Sequence, residues 1–118
     1  MARVVALVPD LLFGSQLQGQ LLAAGHEVEL VGDAARIRER LAGAAVLVVD
    51  LTDPDLDGAA LVQDLNDGGA LAGIGTLGFY AHVEPSVRER ALAAGFDQVV
   101  PRSRMAREGA ELVTSISA

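Results

Sequence analysis

The side chains with chemistry to offer in this sequence are mainly carboxylates standing at the ends of apolar runs. Asp10 follows the run Val4–Val8 and Pro9, and Asp50 follows directly on Ala45–Val49. Brought together, Asp10 and Asp50 would form a pair of hard oxygen ligands suited to a cation. Asp53, Asp55 and Asp57 have an alternating spacing suggestive of a calcium loop, but the glycine and terminal glutamate of such a loop are missing. They are expected to serve turns, with Asp57 as the N-cap of a helix. Cysteine is absent and all nine basic residues are arginine, which excludes thiolate chemistry, disulfides and any mechanism needing a lysine amine. The two histidines, His26 and His82, lie too far apart in the pattern to share a site, and neither has the context of a serine triad. His82, close to Tyr80, reads as a surface loop residue able to tune that loop near neutral pH. Gly68-Gly69 and Gly73-Ile74-Gly75 follow no first strand and match neither a dinucleotide nor a P-loop pattern.

These groups need a scaffold, and 118 residues supply one domain, spanning 1–118. Hydrophobic residues are 51% of the chain and charged residues 21%, so a packed core is expected rather than disorder. A net charge of −7 and only 3% aromatic residues argue against nucleic-acid binding and against an anionic membrane surface. The first apolar run is too short for a signal peptide or membrane span, and the expected location is cytoplasmic.

A strand-like run followed by a helix-like segment recurs along the chain. The runs are Val4–Val8, Val28–Val31, Ala45–Val49, Ile74–Phe79 and Gln98–Val100. The first helix is expected from Ser15, with Leu17, Leu21 and Leu22 on its inner face and Gly25 as its stop. The second is capped by Asp33 and buries Ala34, Ile37 and Leu41. The third opens at Asp57, buries Leu61, Val62 and Leu65, and ends at Gly68-Gly69. Pro85 begins the fourth, with Val87, Ala91 and Ala94 leading to Gly95, and the fifth runs from about Met105 through Leu112, Val113 and Ile116. Gly75 and Gly78, inside an apolar run, are expected to permit close helix packing. The alternation predicts an α/β, flavodoxin-like fold, a three-layer sandwich whose five-stranded parallel sheet has the order 2-1-3-4-5 with five helices. The continuously apolar third run should be central, and the alternating His26–Leu30 segment should lie at an edge. Chemistry in such a sheet sits at the carboxyl ends of the strands, here Asp10, Asp50–Asp53, Tyr80–His82 and Pro101–Arg104.

The segment Asp50-Leu51-Thr52-Asp53-Pro54-Asp55-Leu56-Asp57-Gly58 resembles the phosphoacceptor loop of response-regulator receiver domains, D-L-x-x-P-D-h-D-G, where h is apolar. Ala94-Gly95-Phe96-Asp97-Gln98-Val99-Val100 is similar to the approach to the fifth strand in that family, and length and element order agree over essentially the whole chain. The resemblance implies two-component signalling by a receiver-type domain. Asp50 falls on the phosphoacceptor; Asp10, Asp50 and the Thr52 carbonyl fall on the ligands of a Mg²⁺ ion. It implies no enzyme activity beyond self-phosphorylation and dephosphorylation at Asp50, and no other cofactor.

Four positions depart from the family pattern, three of them in the site. Pro9 replaces the first of two acids, Tyr80 stands where a serine or threonine hydroxyl binds phosphate, and Arg102 stands in place of the lysine, followed by Ser103 in place of proline. Arginine keeps the charge as a planar fork rather than a compact ammonium. The expectation is a stand-alone, pseudo-receiver-like module that works by protein contacts and is phosphorylated inefficiently. Its partner would be a histidine kinase, a phosphotransfer protein of a phosphorelay or another signalling protein, or a second copy in a homodimer, through a face spanning roughly 85–117. The alternatives are a working receiver phosphorylated on Asp50 with Mg²⁺, and a domain binding a small anion or metabolite. Arg102, Arg104 and Arg107 form a positive patch, for which the readings are pairing of Arg102 with Asp10 and Asp50 within the chain, replacement of the metal's charge by Arg102 on Asp50, or acceptance of an anion.

Overall fold

Parallel strands joined by helical crossovers bury both faces of their sheet, and the apolar runs of this chain do so. The computed structural model describes residues 2–53, 55–81 and 85–117. The order is β1 (Arg3–Leu7), α1 (Leu11–Ala23), β2 (Glu27–Val31), a 3₁₀ turn (Ala34–Arg36) running into α2 (Ile37–Arg40), β3 (Val46–Asp50), α3 (Gly58–Asp67), β4 (Gly75–Tyr80), α4 (Pro85–Ala94), β5 (Gln98–Pro101) and α5 (Arg102–Ile116). Every strand pairing is parallel, in the order β2-β1-β3-β4-β5. The flavodoxin-like three-layer sandwich is therefore the observed fold. All of β3 is buried, whereas β2 at the edge is mostly half-exposed, as their polarity patterns require.

Side chains alternate across the sheet. Val4, Ala6, Val48 and Phe79 meet Leu17, Met105 and Val113 of α1 and α5 on one face. Val5, Leu7, Leu47 and Val49 meet Ile37, Val62, Leu65 and Phe96 on the other. Each fully buried aliphatic side chain in these layers stabilises the fold by roughly 1.5–3 kcal/mol. Close approach explains Gly75: a Cβ there would stand 2.6 Å from the Ile116 carbonyl oxygen, so the glycine lets the end of α5 lie against β4. At Gly78 a Cβ would meet the side chains of Leu51 and Phe96, so that glycine makes room for a loop residue and the residue after α4 rather than for a helix.

Three expected boundaries or faces differ. Helix α1 begins at Leu11 rather than Ser15, because Asp10 caps it by accepting the Phe13 N–H at 3.1 Å. Leu22 lies on the outer face of α1, 53% exposed, although Leu17 and Leu21 are buried as expected. Helix α5 begins at Arg102 rather than near Met105: Pro101 ends β5 in an extended conformation and also occupies the N-cap position, without a side-chain cap. The caps expected of Asp33 and Asp57 are present, through the N–H groups of Ala35 and Ala60.

Candidate functional site

The register gathers the polar groups at one edge. Leu7 of β1 lies opposite Val49 of β3, Asp50 opposite Phe79 of β4, and Tyr80 opposite Pro101 of β5. Asp10, Asp50, Thr52, Tyr80 and Arg102 therefore all stand at or just beyond the carboxyl ends of the four central and right-hand strands. His82 and Pro54 lie outside the described residues.

Asp50 is 2% exposed, a buried carboxylate at the centre of that edge. The next peptide is pinned by the Leu51 N–H bond to the Phe79 carbonyl at 2.8 Å, so β3 delivers Asp50 at a defined place. Its Oδ1 accepts two hydrogen bonds from Thr52, one from the backbone N–H at 2.7 Å and one from the hydroxyl at 2.5 Å. A buried carboxylate needs such donors to offset its lost hydration. Thr52, assigned through its carbonyl by the resemblance, here also engages Asp50 through its amide and hydroxyl.

Asp10 is half-exposed, and both its oxygens are engaged. Oδ1 accepts the Phe13 N–H, and Oδ2 lies 3.1 Å from an Arg102 guanidinium nitrogen. The Phe13 N–H first, and the Arg102 guanidinium beside it, hold the Asp10 carboxyl below its ordinary value, against burial, which raises it. The Arg102 guanidinium also lies over the Phe13 ring, 4.4 Å from its centroid, and the Phe13 and Phe79 rings are 5.0 Å apart. A column of Arg102, Phe13 and Phe79 thus ties the start of α5 to the start of α1 and to β4.

The expectation for Arg102 is corrected in one respect. It pairs with Asp10 and not with Asp50, among the described residues, because α5 begins directly at Arg102 and the Phe13 ring draws its guanidinium toward α1. The patch around it is also partly neutralised: Arg104 and Arg107 approach Glu108 of the same helix at 3.6 and 3.5 Å. Asp53 serves a turn by accepting the Asp55 N–H at 2.8 Å. Asp57, besides capping α3, meets Arg90 of α4 at 2.6 Å. That guanidinium first, and the Ala60 N–H second, lower the Asp57 carboxyl, again against burial. The pair borders an open cleft of about 380 Å³ lined by Leu51, Leu56, Ala59, Ser86 and Val87. Tyr80 is half-buried and packs on the layer formed by α2, α3 and α4.

A divalent cation at this edge would draw on Asp10, Asp50 and Thr52. As arranged, Asp10 is not free to join it. Both Asp10 oxygens are taken, one Asp50 oxygen is taken twice, and among the described residues no three acidic, histidine or cysteine side chains cluster as metal ligands. Sequence reasoning missed Phe13 and Arg90. Phe13 was legible as the third helical residue after an aspartate N-cap, whereas Arg90 reaches Asp57 only through the packing of α3 against α4.

No family model matches the chain, and no curated protein matches it by sequence. Solved structures match its shape closely. The receiver domain of the Francisella response regulator 1452 superposes with a TM-score of 0.86 at 16% identity, covering 99% of this chain and 97% of that one. The signal receiver domain of the putative response regulator NarL from Mycobacterium tuberculosis gives 0.80 at 22% identity, over 98% and 95%. The chemotaxis protein CheY4 of Vibrio cholerae gives 0.84 at 18% identity, over 98% of each chain. The chain has the fold of a response-regulator receiver domain. Identities this low establish the architecture and leave the chemistry to be argued from the residues.

Proposed function

We propose that this domain is an atypical receiver, a signalling and protein-interaction module in which Asp50 accepts phosphate inefficiently. The observation that carries the reading is that the Asp10 carboxylate is engaged at both oxygens, by its helix and by Arg102, and the Asp50 carboxylate at Oδ1, by Thr52. Phosphoryl transfer to an aspartate needs a nucleophilic carboxylate oxygen and a positive charge placed beside the transferred group. Two donors on Asp50 Oδ1 draw charge from that oxygen, and the nearby guanidinium is turned to Asp10. Tyr80 adds bulk where a short hydroxyl would swing inward.

Output would then depend on protein contact. The face built by α4, β5 and α5 is the surface assigned to a histidine kinase, a phosphotransfer protein, another signalling protein or a second copy. No catalysis beyond self-phosphorylation is part of this reading. Among the described residues no helix is long and apolar enough to cross a membrane.

A second reading, a working phosphoacceptor, is favoured by one observation: Asp50 Oδ2 carries no hydrogen bond among the described residues, at the strand end where an acceptor belongs. Intact-protein mass after incubation with acetyl phosphate and Mg²⁺, beside Asp50→Asn, separates the two. The expected result is no adduct on either protein. A phosphate adduct on wild type alone overturns the atypical reading and establishes the second.

A further inference from the structure

His26 is buried, 5% exposed, between the end of α1 and the start of β2, on the far side of the sheet from the candidate site. Both its ring nitrogens are engaged. The Ala2 backbone N–H donates to Nδ1 at 3.1 Å, and Nε2 lies 3.1 Å from the Thr114 hydroxyl oxygen on α5. The Thr114 hydroxyl in turn donates to the Ala110 carbonyl at 2.9 Å.

These contacts settle where the proton is. A backbone N–H can only donate, so Nδ1 must carry a lone pair. The Thr114 proton is committed to Ala110, so Thr114 accepts and Nε2 carries the ring proton. The whole relay runs one way, from His26 Nε2–H through Thr114 to Ala110. Ala2 meanwhile takes the Glu27 N–H on its carbonyl at 2.9 Å, so the same residue starts the β1–β2 ladder and engages the histidine.

We infer that His26 is a proton-sensitive latch joining the start of β1 to the last turns of α5, held by its neutral, Nε2-protonated form. A proton added at Nδ1 would set two N–H groups against each other at 3.1 Å in a buried position. One of them must leave, and with it goes the tie between the first strand and α5. Since the Ala2 contact needs the lone pair on Nδ1, acid favours opening.

The charged residues on the surrounding elements do not offset this. Helix α1 carries none. Arg3 of β1 is turned to Glu29 and to the carbonyls of Arg40 and Ala42. Glu27 of β2 and Glu111 of α5 are exposed, and among the described residues no carboxylate lies within 4.0 Å of either ring nitrogen. Since α5 forms part of the face proposed for partner binding, opening would also alter that face, a consequence that rests on the reading above; the latch itself does not.

The test is amide hydrogen exchange at Glu27 and in the last turn of α5, in wild type and His26→Gln, corrected for intrinsic exchange. Opening is expected to be about tenfold more favourable at pH ~5.5 than at pH ~7.5. Wild type is expected to lose about that factor of protection, and His26→Gln to lose almost none. Equal pH dependence in the two proteins would overturn the latch while leaving the atypical-receiver reading untouched. If His26→Gln does not fold, the ¹⁵N chemical shifts of the wild-type imidazole decide instead. Protonation at Nε2 at pH ~7.5, with simultaneous loss of the Thr114 contact and of Glu27 protection on acidification, supports the latch; protonation at Nδ1 overturns it.

Discussion

Replacing Arg102 with glutamine isolates the part this residue plays at the edge. The side chain lies 4.4 Å from the centroid of Phe13, and a half-exposed contact of this kind is worth about 0.5–1 kcal/mol. Against that, Arg102 is the first residue of α5, where a positive charge opposes the helix dipole at a cost of about 0.3–1 kcal/mol. The two effects nearly cancel, and the exposed ion pair with Asp10 is screened by salt. Arg102→Gln should therefore change stability by no more than about 0.5 kcal/mol, or roughly 2 °C in Tm for a domain of this size. What does change is Asp10, whose Oδ2 loses its partner and becomes free to join Asp50 in holding a cation. A site of about millimolar Kd in roughly 10 mM Mg²⁺ adds about 1.4 kcal/mol, a rise of roughly 6 °C. Thermal unfolding with and without Mg²⁺ reads this directly. The expected pattern is a Mg²⁺-dependent rise in Arg102→Gln, none in wild type, and none in Arg102→Gln combined with Asp10→Asn. A rise of equal size in wild type, or no rise in Arg102→Gln, would refute the argument that the guanidinium keeps Asp10 from a cation.

Thr52→Val removes the hydroxyl donor to the buried Asp50 carboxylate while keeping the backbone bond. Urea denaturation should show a loss of about 1.5–3 kcal/mol, shrinking when Asp50→Asn is added, because the two residues act as one unit. Asp57→Ala removes the cap of α3 and the partner of Arg90, a loss of about 1 kcal/mol at neutral pH from the cap alone. The Asp57 carboxyl is lowered in the folded protein, so its contribution is present above the ordinary carboxylate range and disappears as pH falls through and below it. The difference between wild type and Asp57→Ala should accordingly narrow in acid, as urea midpoints at neutral and strongly acidic pH would reveal.

Most of the architecture was legible because the local signals agreed with one another. The apolar runs, the Asp33 and Asp57 caps, Gly25 and Gly95 after their helices, and Pro85 at the start of α4 all describe short stretches of chain whose conformation depends on near neighbours. The misplaced boundaries have local causes that could be weighed either way. Asp10 can be read as a free ligand or as a helix cap, and its capping of α1 settles which. Arg102 can open a loop or a helix, and Pro101 permits both.

From its amino acids alone the chain determines a parallel five-stranded α/β domain with Asp10, Asp50, Tyr80 and Arg102 at one edge, since periodicity and strand order are written in the pattern of apolar residues. The partner of each of those groups is a different matter. Asp10 and Arg102 are separated by 92 positions, and which carboxylate a guanidinium meets depends on where two helices begin and on a phenyl ring between them. The proton on His26 is likewise set by residues 24 and 88 positions away. Charge and hydrogen-bond direction act over a few ångströms, and only the folded chain decides which groups come that close.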